Sequence, residues 1–92
     1  MIPYDERVKT YTNAIVANGP RHQLLKAVEE LSELGQVLCK VINGEQDLDH
    51  LAEEMADVYI TMEQVRLIFD IDDRIRDQMD FKVRRLDDNL RK

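Results

Sequence analysis

Two short acidic motifs carry the chemistry that this sequence suggests. Glu30 and Glu33 are three residues apart in the first motif, and Glu54 and Asp57 are three residues apart in the second. Both pairs are placed symmetrically about Asn43-Gly44, a dipeptide typical of chain reversal because both residue types tolerate a positive φ. If the flanking segments are helices, an antiparallel hairpin brings the two pairs to the same height. Four carboxylates at one height repel each other unless a cation lies among them.

Helical geometry separates a metal site from an ordinary solvated face. At about 100° per residue, Glu30 falls inside the apolar arc of its helix and Glu33 at the edge of that arc. Glu54 lies on the border of the next apolar arc, and Asp57 lies one step further out. An ionised carboxylate at the edge of a core is unfavourable unless it is paired or coordinated. We therefore expect an all-oxygen site, which suits Mg²⁺ or Mn²⁺ rather than zinc.

Complementary positive charge lies on the last predicted helix. Lys82 falls almost within the apolar stripe of that helix, and Arg85 lies beside it. One interpretation is that the Lys82 stem packs on apolar surface while its ammonium stays in water. The other is a phosphate contact, in which Arg85 grips the phosphate oxygens with two hydrogen bonds. The sequence has no Gly-rich phosphate loop, so a nucleotide would have to be held by metal and side chains.

Four helices must position these residues. Apolar periodicity predicts them at about Tyr4–Ala17, Arg21–Ile42, Asp47–Phe69 and from Asp72 to about Leu90. The predicted core stripe of the first helix is Tyr4, Val8, Tyr11 and Ile15, and that of the second is Leu24, Val28, Leu31, Leu38 and Ile42. The stripe of the third helix is Leu48, Leu51, Met55, Val58, Met62, Val65 and Phe69, and that of the fourth is Ile75, Met79, Val83, Leu86 and Leu90. Ile60 and Leu67 form a second apolar strip on the third helix, which predicts a contact between copies of the chain.

Composition indicates one small all-α domain over residues 1–92, with a four-helix bundle-like architecture and a central antiparallel hairpin. Charged residues make up 35% of the chain and aromatic residues 5%, a profile typical of helical bundles. A chain this small buries little apolar surface alone, which favours a homo-oligomer. The net charge of −6 argues against nucleic-acid binding. One cysteine, no signal peptide and no membrane-length apolar run predict a soluble, cytoplasmic protein.

The motif order resembles a known family. The pattern EExxE, a helix–turn–helix gap and then ExxD is similar to the MazG-type all-α nucleoside triphosphate pyrophosphohydrolases, whose superfamily includes dimeric dUTPases and phosphoribosyl-ATP pyrophosphohydrolase. The resemblance covers about residues 20 to 90, including Gln23 and the segment Glu53-Glu54-Met55-Ala56-Asp57-Val58. It implies Mg²⁺-dependent cleavage between the α- and β-phosphates of a nucleoside triphosphate, in nucleotide-pool control, by a homodimer or homotetramer.

The resemblance also implies roles for individual residues. The Mg²⁺ ligands would be Glu30, Glu33, Glu54 and Asp57. Either Glu29 or Glu33 would accept the proton of the attacking water, and Lys82 and Arg85 would contact the substrate. Three alternatives remain: a phosphoribosyl-ATP pyrophosphohydrolase, a non-catalytic helical adaptor that a metal stabilises, and a helical oligomer with a merely charged face.

Overall fold

The computed structural model describes all 92 residues and contains four α-helices and no strand. The helices are α1 (Tyr4–Asn18), α2 (Pro20–Ile42), α3 (Leu48–Phe69) and α4 (Asp72–Leu90). The predicted all-α class and the four predicted helices are confirmed, with ends that differ by one residue at most. No helix combines the length and the apolar character needed to span a bilayer.

Residues with left-handed backbone conformations separate the helices. Gly19, between α1 and α2, has φ 89°, and Gly44, between α2 and α3, has φ 99°. Asn43 has φ −83°, so Gly44 alone supplies the positive φ at the Asn-Gly turn. Asp47 caps α3, because its Oδ1 accepts a hydrogen bond from the His50 backbone N–H at 3.0 Å. Gly44 and Asp47 thus lie at the chain reversal between α2 and α3.

The α2–α3 hairpin is the centre of the fold, and α1 packs against both of its helices. The hairpin is antiparallel, since Gln23 near the start of α2 donates a side-chain hydrogen bond to Gln64 near the end of α3. The buried face of α1 is centred on Tyr11, with Val8 and Ile15 half-buried beside it. The predicted core face of α1 is therefore confirmed, except that Tyr4 at its start is exposed.

The two hairpin helices do not pack through their most apolar faces. The buried residues are Gln23, Ala27, Glu30 and Val37 on α2, and Glu54, Val58, Thr61 and Gln64 on α3. Of the predicted core stripes of these helices, only Val58 is fully buried. At about 100° per residue, the buried faces of α2 and α3 are rotated by about 80–100° from the apolar stripes. We predicted that the carboxylates lie at the edge of each apolar stripe, and that edge is the face through which α2 and α3 pack.

This rotation leaves an apolar surface uncovered. Since α2 and α3 are antiparallel, rotations of the same sense carry both stripes to one side of the hairpin. We call this surface the hairpin stripe; its exposed members are Val28, Leu31, Leu38 and Ile42 of α2 with Leu48, Met62 and Phe69 of α3. The opposite side of α3 faces α1: Ile60 lines a groove with Tyr11 and Ala14, and Leu67 lines one with Ile15 and Val16. The Ile60–Leu67 strip, which we predicted as a contact between copies, thus lies beside α1 of the same chain, with Ile60 still exposed.

Helix α4 projects from the other three helices. It buries no residue, and every residue from Arg76 to Lys92 is exposed. The predicted core stripe of α4, hereafter the α4 stripe, is thus solvent-facing beyond Ile75, which is half-buried. The radius of gyration is 15.9 Å, whereas a compact chain of this length has about 12 Å. In this single copy, three helices pack together, and the fourth contacts them only near its start.

Candidate metal centre

Two buried carboxylates lie where α2 meets α3. Glu30 is 6% exposed and Glu54 is 9% exposed, so both side chains are almost completely removed from water. Their helices place them there because Glu30 shares the α2 packing face with Ala27 and Glu54 shares the α3 packing face with Val58. Full burial of two acids in a chain of 92 residues is uncommon unless they are paired or coordinated.

A third carboxylate joins them. Glu30, Glu33 and Glu54 each offer a carboxylate oxygen, and these three oxygens lie within 4.8 Å of one another. Glu33 is half-buried, so the group opens to solvent on its side. Asp57 is also half-buried and lies outside this closest group, although its charge acts on Glu30. The structure therefore brings three of the four predicted metal ligands together and leaves the fourth close by.

Each buried carboxylate has one oxygen beside a base and one without any partner. Lys26 Nζ lies 3.6 Å from Glu30 Oε1, and His50 Nε2 lies 3.4 Å from Glu54 Oε1. Both bases are four residues from their acid on the same helix. The second oxygens, Oε2 of Glu30 and Oε2 of Glu54, are buried and accept no hydrogen bond. A buried acceptor without a partner is energetically costly, and a nearby cation would offset that cost.

The charges of the group act on one another. The pKa of Glu30 is raised above its usual value, mainly because burial disfavours the ionised form. The negative charges of Glu33 and Asp57 raise it further, and Lys26 opposes them. The single ammonium of Lys26 therefore does not compensate for the neighbouring acids.

The donor set fits a hard divalent cation. Every grouped ligand atom is a carboxylate oxygen, which is the ligand type that Mg²⁺ and Mn²⁺ prefer. The one cysteine, Cys39, is exposed and is not part of the group. The two unpartnered buried oxygens are the structural observation that agrees with such a cation.

The remaining predicted site residues lie elsewhere. Glu29 is exposed, on the side of α2 turned away from the packing face. Lys82 and Arg85 are exposed on the projecting part of α4, which packs along none of the other helices. The Arg85 guanidinium carbon lies 5.6 Å from the centroid of the Phe81 ring, so Arg85 stacks on its own helix. In one copy of the chain, these two basic residues and the carboxylates are therefore separate.

A buried amide pair was not predicted. Gln23 and Gln64 are each 7% exposed and are hydrogen-bonded across the hairpin. The Gln23 Oε1 atom also lies 2.9 Å from His22 Nδ1. The sequence did contain a signal, because Gln23 and Gln64 are symmetrical about Asn43-Gly44 in the same way as the acid pairs. Gln23 also precedes Glu30 by seven residues, which places both on one helix face.

A second unpredicted polar group joins α1 to α3. The Arg7 Nε atom lies 3.4 Å from Glu63 Oε2. The buried Tyr11 hydroxyl interacts with both residues, and its pKa is raised, chiefly by burial and then by its hydrogen bond to Glu63. This group is on the α1 side of the hairpin and fixes the packing of α1.

Comparison of the chain with protein-family models, with curated proteins and with solved structures gives no match.

Proposed function

We propose that this chain is a Mg²⁺-dependent pyrophosphohydrolase that converts a nucleoside triphosphate into a nucleoside monophosphate and pyrophosphate. The observation that carries the proposal is the Glu30, Glu33 and Glu54 group, in which two buried oxygens lack partners. The EExxE and ExxD motifs supply the second support, since their order and separation resemble those of the MazG-type enzymes. A cation held by carboxylates is a general way for an acidic protein to bind phosphates.

Four acids would hold the cation in this proposal: Glu30, Glu33, Glu54 and Asp57. When bound, Mg²⁺ would offset the charge of the phosphate oxygens and lower the pKa of a coordinated water. Glu33 is the half-buried acid at the open side of the group, so we assign it the role of accepting the proton from the attacking water. Glu29 is the other candidate for that role, although its exposed position favours Glu33.

The basic residues of α4 would bind the leaving group. Water attacks the α-phosphorus, the bond from that phosphorus to the bridging oxygen breaks, and the pyrophosphate leaves with that oxygen. Positive charge near the departing phosphates stabilises the charge that develops on them. We assign this role to Lys82 and Arg85. The role requires α4 to lie beside the carboxylates of the proposed site. We also propose that the protein works as a homo-oligomer.

The experiment that tests the function is pyrophosphate release from a panel of nucleoside triphosphates, with Mg²⁺ or with EDTA. We expect at least one nucleotide to release pyrophosphate in the presence of Mg²⁺. We expect EDTA to abolish that release. Glu54→Gln should abolish it, whereas Glu53→Gln should not, because Glu53 is exposed and outside the group. No release from the panel or from phosphoribosyl-ATP, in folded protein, would contradict the enzymatic assignment.

A metal-stabilised helical adaptor is the second candidate. One observation favours it: Lys82 and Arg85 are remote from the carboxylates in a single copy, as a non-catalytic protein would allow. Under this alternative, Mg²⁺ would raise the melting temperature, and no nucleotide would be hydrolysed.

A further inference from the structure

A groove between α1 and α3 lies outside the carboxylate group. Its walls are Arg7, Thr10, Tyr11 and Ala14 of α1 and Ile60 and Gln64 of α3. The four α1 residues follow the i, i+3, i+4, i+7 spacing of a single helix face. The groove has a volume of about 270 Å³ and is mainly apolar, which suits one flat ring system better than a whole nucleotide.

The groove adjoins the side of α3 that carries the fourth proposed metal ligand. Asp57, Ile60 and Gln64 follow one another at intervals of three and four residues, so they share one face of α3. Asp57 is half-buried beside the carboxylate group, and Gln64 lies about 10 Å further along the helix axis. A ligand with one end on the carboxylates that extends along this face therefore enters the groove.

A sequence of hydrogen bonds fixes the orientation of the Gln64 amide. Asn18 Nδ2 donates to Gln23 Oε1 at 3.4 Å, and His22 Nδ1 lies 2.9 Å from the same oxygen. Because its oxygen is held there, Gln23 turns its Nε2 toward α3 and donates to Gln64 Oε1 at 2.5 Å. The Gln64 oxygen thus faces Gln23, and the Gln64 Nε2 points away from it.

The Gln64 Nε2 is an unused donor on a buried side chain. Gln64 is only 7% exposed, and its Nε2 donates to no atom of the chain. Three unpartnered side-chain atoms are fully buried, on Glu30, Glu54 and Arg66. Gln64 Nε2 is not one of them, so it reaches solvent through the groove that Gln64 lines. A donor in a mainly apolar groove favours a ligand that brings an acceptor to it.

We infer that this groove binds the base of the nucleotide and that Gln64 Nε2 donates to a carbonyl oxygen of that base. The inference rests on the proposed function, which places the phosphates at the carboxylates. With the phosphates and sugar toward Asp57, the base edge farthest from the sugar meets Gln64. That edge carries a carbonyl oxygen in uracil, thymine and guanine, and an amino group in cytosine and adenine. An amino group there would set two donors against each other.

Two matched triphosphates test this selectivity. UTP and CTP have the same sugar and the same ring size, and they differ at the base edge that would meet Gln64. We expect kcat/KM for pyrophosphate release to be at least about tenfold higher for UTP, because CTP leaves the Gln64 donor without an acceptor. Equal values for the two nucleotides would overturn the inference.

Gln23→Glu tests the orientation of the amide from outside the groove. A carboxylate at this position offers only acceptors, so Gln64 should turn its Nε2 toward it and present its Oε1 to the groove. We therefore expect the preference to invert in favour of CTP. Gln36→Glu makes the same change at an exposed position of α2 and should leave the preference unchanged. If Gln23→Glu slows both nucleotides equally, Gln23 is merely structural and the inference is overturned.

Nuclear magnetic resonance tests the contact without any turnover. The wild-type protein, labelled with ¹⁵N and saturated with Mg²⁺, is titrated with UMP and separately with CMP. We expect UMP to shift the side-chain amide signals of Gln64, assigned by triple-resonance spectroscopy, and CMP to bind at least about tenfold more weakly. Unchanged Gln64 signals at saturating UMP would overturn the inference, and so would the absence of UMP binding.

Filling the groove separates it from the metal centre. Ala14→Phe places a ring in the groove and should weaken UMP binding at least about tenfold, with Mg²⁺ affinity unchanged. Ala17→Phe is the control, because Ala17 is exposed on α1 and outside the groove. Equal UMP affinities of the two variants would overturn the inference.

These outcomes distinguish the inference from the proposed function. Selective binding of UMP without pyrophosphate release from any triphosphate would contradict the proposed function and leave the groove as a base site. Pyrophosphate release with equal rates for UTP and CTP would contradict the inference and leave the proposed function intact.

Discussion

The α2–α3 hairpin and the projecting α4 distribute charge and apolar surface in opposite ways. The hairpin buries Glu30, Glu54 and an amide pair between its helices, while its apolar stripe faces outward. Helix α4 has its apolar stripe in water and its basic residues beside that stripe. The buried carboxylates of the hairpin have only Lys26 and His50 beside them, and its apolar stripe has no cover. Beyond Ile75, α4 has no surface to pack on. In a single copy of the chain, both apolar surfaces are therefore exposed to solvent.

The largest effect is expected from removing charge at the carboxylates. Glu33→Gln and Asp57→Asn should each lower the rate of pyrophosphate release at least about 100-fold, because each deletes a proposed cation ligand. Their helical content should be unchanged, since both residues are half-buried. Rates and far-ultraviolet circular dichroism measure the two outcomes. Glu53→Gln is the matched control, and retained activity in both site variants would remove them from the site.

The next effect concerns the hairpin stripe. The double variant Val28→Asp, Leu31→Asp should weaken self-association at least about 100-fold, or about 2.7 kcal/mol, because it places charge in an apolar interface. Sedimentation velocity across a range of concentrations measures this change. Gln36→Asp adds the same charge at an exposed polar position of α2 and should leave association unchanged. Unaltered association of the double variant would show that the hairpin stripe is not an interface.

A smaller effect should follow from breaking the buried amide pair. Gln64→Leu leaves the Gln23 Nε2 donor buried without its acceptor, which should lower the free energy of unfolding by about 1–3 kcal/mol. Chemical denaturation at a fixed protein concentration measures the change. Since the pair is outside the carboxylate group, the affinity for Mg²⁺ should stay within a factor of about two. A large loss of Mg²⁺ affinity would instead place the amides in the site.

The smallest effect concerns the raised pKa of Glu30. The folded chain holds this proton more tightly than the unfolded chain, so ionisation of Glu30 destabilises the fold. In the absence of metal, its contribution to stability is therefore favourable below the usual pKa of Glu and is lost as the pH rises through the raised pKa. Glu30→Gln should remove this pH dependence.

The same substitution separates stability from metal binding. At pH 7 and without metal, Glu30→Gln should raise the free energy of unfolding by about 1 kcal/mol, because a neutral amide replaces a buried charge. It should also abolish the stabilisation that Mg²⁺ gives the wild type. Thermal unfolding with and without Mg²⁺ measures both changes. Destabilisation of the metal-free variant would mean that Lys26 alone satisfies the Glu30 carboxylate.

The sequence predicted the helices and the meeting of the acids well, because both depend on local signals. Gly44, with its positive φ, follows the end of α2, and the Asp47 side chain caps the start of α3. The turn therefore lies midway between the two acidic motifs. The antiparallel register then follows from symmetry about the turn, and it brings Glu30, Glu33 and Glu54 together.

The packing faces were less predictable, because apolar periodicity does not say which apolar surface is covered within one chain. Leu31 and Val28 belong to the strongest stripe of α2, yet both are exposed, while Gln23 and Glu30 are buried. A chain that associates can place its best apolar surface outward. The position of α4 is a second case, since its amphipathic pattern is clear and its partner surface is not encoded in the pattern.

Calorimetric titration of Mg²⁺ into the metal-free protein, beside Glu54→Gln and Glu53→Gln, tests the central claim most directly. That claim is that the acids between α2 and α3 form a cation site. We predict saturable binding to the wild type and to Glu53→Gln, and loss of binding in Glu54→Gln. The reason is that Glu54 belongs to the carboxylate group and Glu53 does not. The same weak, unsaturable heats in all three proteins would contradict the claim and leave the acids as a structural feature of the hairpin.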